Sequence, residues 1–206
     1  MALCAADPSV QMTPRSLDVH DFQIVKRNSG PVNYYEVRED PQGAFIHGVY
    51  RPPLETVTLG IEAPDDLKTS AKRLRWRWRA LTLPVHGDEC KDEPKDSAAA
   101  IYVSFRRGFK WYALKYIWSS EATVGVTCNQ KRNLFVAQDS IVLRSGGPLN
   151  QWVTEEIDLA VEFRRHFAGG DPAADVPRFM GIGLLTDGDQ TMSESAADYT
   201  GFEVLY

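Results

Sequence analysis

The segment KRLRWRWRALTL, Lys72–Leu83, decides the fold. Within it Leu74, Trp76, Trp78 and Ala80 alternate with Arg73, Arg75, Arg77 and Arg79. Alternation with a period of two places one set on each face of a β-strand. The apolar set must face a core, because exposing it would forgo roughly 1.5–3 kcal/mol for each large side chain. The other face then carries a row of guanidinium groups, successive ones about 7 Å apart. Like charges at that spacing repel unless something neutralises them.

Outward from this strand the chain keeps the same character. DFQIV (Asp21–Val25), VNYYEV (Val32–Val37), AFIHGVY (Ala44–Tyr50) and TVTLGI (Thr56–Ile61) precede it. AAIYVSFRR and KWYALKYIWSS follow as a hairpin around Gly108, and TVGVTC, LFVAQDSIVLRS, FMGIGLLTD and YTGFEVLY continue the series. These runs are short, rich in β-branched and aromatic residues, and separated by Gly, Pro, Asn and Asp. Such spacing predicts a sandwich or barrel rather than βαβ units. WVTEEIDLAVEFRRHF reads as a strand to Leu159 followed by a short helix near 158–167. The predicted fold is all-β, a two-sheet antiparallel sandwich or jelly roll carrying that one helix. Residues 1–14 read as a disordered or signal-peptide remnant and 15–206 as one domain.

Composition agrees. The 206 residues are 43% hydrophobic, with 5 Trp, 8 Tyr and 9 Phe, enough for a core that needs no metal or disulfide to close. A net charge of −5 argues against nucleic acid as a partner. No apolar run reaches the length of a membrane span. Cys4, Cys90 and Cys128 form no CxxC pair. Cys90 and Cys128 either pair in an exported protein or remain free thiols. The small residues around Cys4 fit a trimmed exported chain, and an ordinary cytoplasmic start is the alternative.

LRWRWRAL (Leu74–Leu81), DSAAAIYVSF (Asp96–Phe105), ALKYIWSS (Ala113–Ser120), VLRSG (Val142–Gly146), WVTEEIDLAVEFRRHF, MGIGLLTDGDQT (Met180–Thr191) and ADYTGFEVLY stand in a characteristic order. Over roughly 70–206 this set resembles a bacterial family, domain of unknown function 3047. The resemblance implies a β-sandwich similar to carbohydrate-binding modules, commonly on an exported bacterial protein. It implies no established activity and no catalytic residues.

Three features carry candidate chemistry. The first is the arginine row, with Arg75 and Arg77 at its centre. It either receives an anionic or polyhydroxylated ligand, for which Arg forks are suited, or pairs across strands with Glu155, Glu156, Asp158 or Glu203. The second is the set Tyr102, Trp111, Tyr112, Lys115 and Trp118, whose aromatics stack on sugar rings if they are exposed and pack the sandwich if they are not. The third is Asp187-Gly188-Asp189, with Thr191, Ser193 and Glu194 close behind. Spaced oxygen ligands suit a structural Ca²⁺, whereas a turn capped by its own Asp side chains needs none. No other cofactor is predicted. His86, beside Asp88 and Glu89 in the long polar loop His86–Ala99, is a candidate base, but no nucleophile motif accompanies it. The expectation is a non-catalytic module binding a carbohydrate or small anionic ligand. A hydrolase or lyase on a jelly roll, and a structural assembly protein, are the alternatives. The sequence leaves oligomeric state open.

Overall fold

A computed structural model describes residues 12–25 and 32–206. The expectations about residues 1–11, including Cys4, and about the turn at 26–31 lie outside the described residues. Pro14, the last residue of the predicted remnant, already begins a strand.

Two sheets form the fold. The first holds β1 (Pro14–Ser16), β3 (Tyr35–Asp40), β4 (Gly43–Tyr50), β6 (Arg73–Thr82), β11 (Val153–Asp158) and β13 (Ser195–Leu205). Its order is β11-β6-β13-β4-β3, with β1 against β13. The second holds β2 (Gln23–Ile24), β5 (Thr58–Glu62), β7 (Ala99–Arg107), β8 (Lys110–Ser119), β9 (Thr127–Arg132), β10 (Val136–Ser145) and β12 (Arg178–Leu185). It is ordered β2-β5-β12-β7-β8-β10-β9. This is the predicted all-β jelly-roll sandwich, with one departure from antiparallel pairing. The chain leaves β8, returns along the outer edge as β9, and hairpins back as β10 between the two. β10 therefore runs parallel to β8.

The alternation read in β6 is what joins the sheets. Leu74, Trp76, Trp78 and Ala80 are fully buried. Trp76 meets Tyr116 of β8 with ring centroids 5.6 Å apart, and Trp78 meets Trp118 at 5.7 Å. Helix α2 (Leu159–Phe167) closes one end of this core, within the range predicted for it. Asp158 caps it by accepting from the amides of Ala160 and Val161. Phe163 and Phe167 plug the opening against Tyr112, at 5.1 and 5.3 Å. A short helix, α1 (Leu67–Ser70), precedes β6 and was not expected.

Candidate functional site

The arginine row resolves in favour of protein partners. Arg75 donates through Nε and one terminal nitrogen to Glu156 Oε2, at 2.9 and 2.7 Å, and through the other to Glu203 Oε2 at 3.0 Å. Arg73 takes Glu156 Oε1 at 2.9 Å. Glu156 and Glu203 sit directly opposite Arg75 on the flanking strands. The bonds from Arg75 and then Arg73 hold the Glu156 carboxyl below its ordinary pKa. Arg79 pairs with buried Asp198, which also accepts from His47 at 2.6 Å. Arg77 bonds Gln42 and lies with Arg79 over the Trp152 ring, at 5.3 and 4.5 Å. The expectation that Arg75 and Arg77 hold a ligand is corrected. Their charges are met by cross-strand carboxylates and an aromatic face.

Trp118, Lys115 and Tyr112 are corrected too. Trp118 is fully buried in the sandwich, its Nε1 donating to Gly146 O at 2.7 Å. Tyr112 faces inward beneath α2. Lys115 faces outward, but the loop before β7 folds over it. Cys90 of that loop is joined to Cys128 of β9 by a disulfide. The strap carries Glu89 onto Lys115, Oε2 to Nζ 2.7 Å, with both side chains buried and Asn129 on the other oxygen. Lys115 Nζ also lies 5.5 Å from the Tyr102 ring centre. Burial opposes the Lys115 charge, but Tyr102 and Glu89 outweigh it and raise its pKa. Loop covering is not visible in strand periodicity, so the sequence could not distinguish this lysine from an exposed one.

Two predicted residues do share an open site. Tyr102 and Trp111 point away from the core on the outer face of the seven-stranded sheet, the opposite side of the molecule from the arginines. Beside them runs a groove of about 560 Å³. The register explains it. Gly60, Gly183 and Tyr102 stand in one row across β5, β12 and β7, while Glu62, Gly181 and Ser104 form the next. Glycines keep the floor low, with Val25 and Thr58 packed beside Gly60 and Gly183, and Tyr102 and Trp111 rise at one side. Gly181 has a φ of 140°, and a Cβ there would strike the Ile61 carbonyl, so backbone geometry demands glycine. Gly183 is different. A Cβ there would come within 3.3 Å of Leu59 O, a tight approach that asks the backbone to shift by a few tenths of an ångström rather than forbidding a side chain outright. Arg106 stands opposite Trp111 on β8 and stacks over its ring at 5.1 Å. Sequence reasoning missed Gly60, Gly183 and Arg106. The signal was present in MGIGLL, where period-two glycines must all fall on one face.

At the strapped end of this face lie Asp96, Asp187 and Asp189, with carboxylate oxygens within 4.8 Å of one another. Asp187 and Asp189 were predicted together, and Asp96 was missed because it comes from the loop before β7. Thr191, Ser193 and Glu194 turn elsewhere: Thr191 and Ser193 bond each other, and Glu194 pairs with Arg51. Burial, then the nearby Asp189 and Asp96 charges, push the Asp187 carboxyl up to about 7. A hard divalent cation would relieve that repulsion, with these three residues as its ligands. Asp96 is already engaged as acceptor for the amides of Gln190 and Thr191. His86, the candidate base, is exposed and bonded to Glu121.

The sequence profile of a family described as "Protein of unknown function (DUF3047)" matches residues 33–203. This chain is a member of the DUF3047 family. No curated protein matches it. Among solved structures, the DUF3047 chain is similar to a family 11 carbohydrate-binding module from Clostridium thermocellum in complex with a β-1,3-1,4-mixed-linked tetrasaccharide. That match has a TM-score of 0.46 and 9% identity, over 93% of this chain and 94% of the other. It is also similar to the xyloglucanase domain of NopAA, a type three effector from Sinorhizobium fredii, in complex with cellobiose. There the TM-score is 0.44 and the identity 7%, over 92% and 96% of the two chains. A third is endoglucanase 3 of family GH12 from Trichoderma harzianum, at 0.42 and 8%, over 97% and 99%.

Proposed function

We propose that this DUF3047 protein binds a carbohydrate or similar polyhydroxylated chain in the groove on the outer face of its seven-stranded sheet. The observation that carries the reading is the glycine floor beside an exposed tryptophan. The glycine row keeps the groove shallow and open enough for an extended sugar chain, and Trp111, 40% exposed, offers a ring face for stacking. Tyr102, Ser104, Arg106 and Glu62 supply hydrogen-bonding groups along the rim. Calorimetry against soluble glucans, xyloglucan, xylan and uronic-acid polysaccharides tests it. Micromolar to millimolar binding that weakens at least tenfold in Trp111→Ala is expected; absence of binding to every saccharide rejects it.

A second reading, a hydrolase, is favoured by Asp187. A carboxyl that keeps its proton near neutral pH is what general-acid donation to a glycosidic oxygen requires. Release of reducing ends by the intact protein, lost in Asp187→Asn, would replace the binding-module reading. The Cys90–Cys128 disulfide supports placement in an oxidising, extracytoplasmic compartment.

A further inference from the structure

We propose that the end of the seven-stranded sheet formed by two neighbouring turns docks on an anionic phospholipid surface. One turn joins β7 to β8 and presents Phe109, 86% exposed. The other joins β9 to β10 and presents Leu134 and Phe135, 78% and 61% exposed. Because β10 runs parallel to β8, the two turns come out at the same end. Val136 stands opposite Trp111, and the Trp111 amide donates to Phe135 O at 2.8 Å. The second turn is held in shape by Asn133, whose Oδ1 accepts from the amides of Phe135 and Val136 at 2.9 and 2.7 Å. The apolar side chains therefore project from built turns. Together with Trp111 they make a contiguous exposed apolar tip, the kind of patch that marks an interaction surface.

Charge names the partner. Arg106, Arg107, Lys110 and Lys131 surround the tip, and among the described residues none of them is in an ion pair with a carboxylate. Arg106 bonds Gly108 O, Arg107 bonds Asp175 O, and Lys110 lies over the Tyr112 ring. By contrast Arg73, Arg75 and Arg79 on the other sheet are matched by carboxylates, and the whole chain carries −5. Four unneutralised cations around protruding Phe, Leu and Trp side chains suit a lipid interface. Cations meet headgroup phosphates, the apolar tips enter the acyl boundary, and tryptophan sits between. The surface shares only Trp111 and Arg106 with the groove, and the variants chosen below leave both untouched, so the two readings can fail independently.

Vesicle co-sedimentation tests it, with phosphatidylcholine alone and with added phosphatidylglycerol, at low and high salt. The protein is expected to bind phosphatidylglycerol vesicles at least tenfold more tightly than neutral ones, and to release in high salt. The variants Phe109→Ser/Leu134→Ser/Phe135→Ser and Arg107→Gln/Lys110→Gln/Lys131→Gln should each lose at least tenfold, with unchanged circular dichroism. Failure to bind anionic vesicles at low salt overturns the proposal. So does binding that survives the apolar substitutions. Concentration-dependent self-association abolished by those substitutions, without vesicle binding, would instead assign the tip to a second copy of the chain and also overturn it.

Discussion

Trp111 and Trp118 lie on the same strand and face opposite ways, so their substitutions should part company. Trp118→Ala empties a fully buried site and is expected to cost about 3–5 kcal/mol in urea unfolding. Trp111→Ala should cost less than about 1 kcal/mol in the same measurement, its effect falling on ligand binding instead. Lys115→Met strands the buried Glu89 carboxylate, an expected loss of about 3–5 kcal/mol. Adding Glu89→Gln should restore part of it; a null effect of the single change would mean that the pair is not buried. At this scale legibility depended on how one-sided the strand is. β6 has arginine at four successive outward positions, and its face assignment could be read directly. β8 carries aromatic residues on both faces, Trp111 outside and Tyr112 inside, so the same periodicity left four candidates there where the structure keeps Trp111. Tyr102 remains from the neighbouring strand.

Elements come next. Helix α2 was legible from the switch in apolar spacing, but its pH dependence was not. His166 Nδ1 bonds Asp139 at 2.9 Å, and Nε2 lies 3.7 Å from Glu162. Burial alone would lower the His166 pKa, yet Glu162 and Asp139 prevail and raise it above 6.5. A raised histidine contributes stability that is full below its unfolded pKa and fades as pH rises through the folded one. The acids behave oppositely. The Glu162 and Asp139 carboxyls are held below 4.5 and 3.8, so their contributions fade as pH falls through the folded values. His166→Gln should therefore lose most stability near pH 5–6, and the deficit should shrink above about pH 8; urea unfolding across that range checks it. The strap over β8 is the other element to test. Its disulfide closes a separation of 38 residues, and Cys90→Ser/Cys128→Ser should cost about 2–4 kcal/mol. The long loop was recognisable as polar and Pro-bearing, but where it lands depends on cross-strand register, which one chain does not display.

For the whole molecule, the sandwich was readable because short alternating strands and turn residues repeat along the chain, and two buried tryptophans on one strand need an opposing sheet. The placement of β10 between β8 and β9 was not readable, since hairpin and crossover connections share the same local pattern. That placement also brings the turns that carry Phe109 and Phe135 out at the same end of the sheet. The two outer faces divide the roles. One is a closed lattice of arginines, carboxylates and Trp152. The other holds the glycine-lined groove proposed to take a saccharide. The most direct test fills the floor. Gly183→Val adds side-chain volume to the groove where a Cβ comes within 3.3 Å of Leu59 O, so the groove should be obstructed, and circular dichroism and urea unfolding check that the variant keeps its fold. Saccharide binding by calorimetry should fall at least tenfold in Gly183→Val and stay within twofold of the parent in Arg77→Ala. Undiminished binding in Gly183→Val, with loss in Arg77→Ala, would contradict the account and return the site to the arginine face.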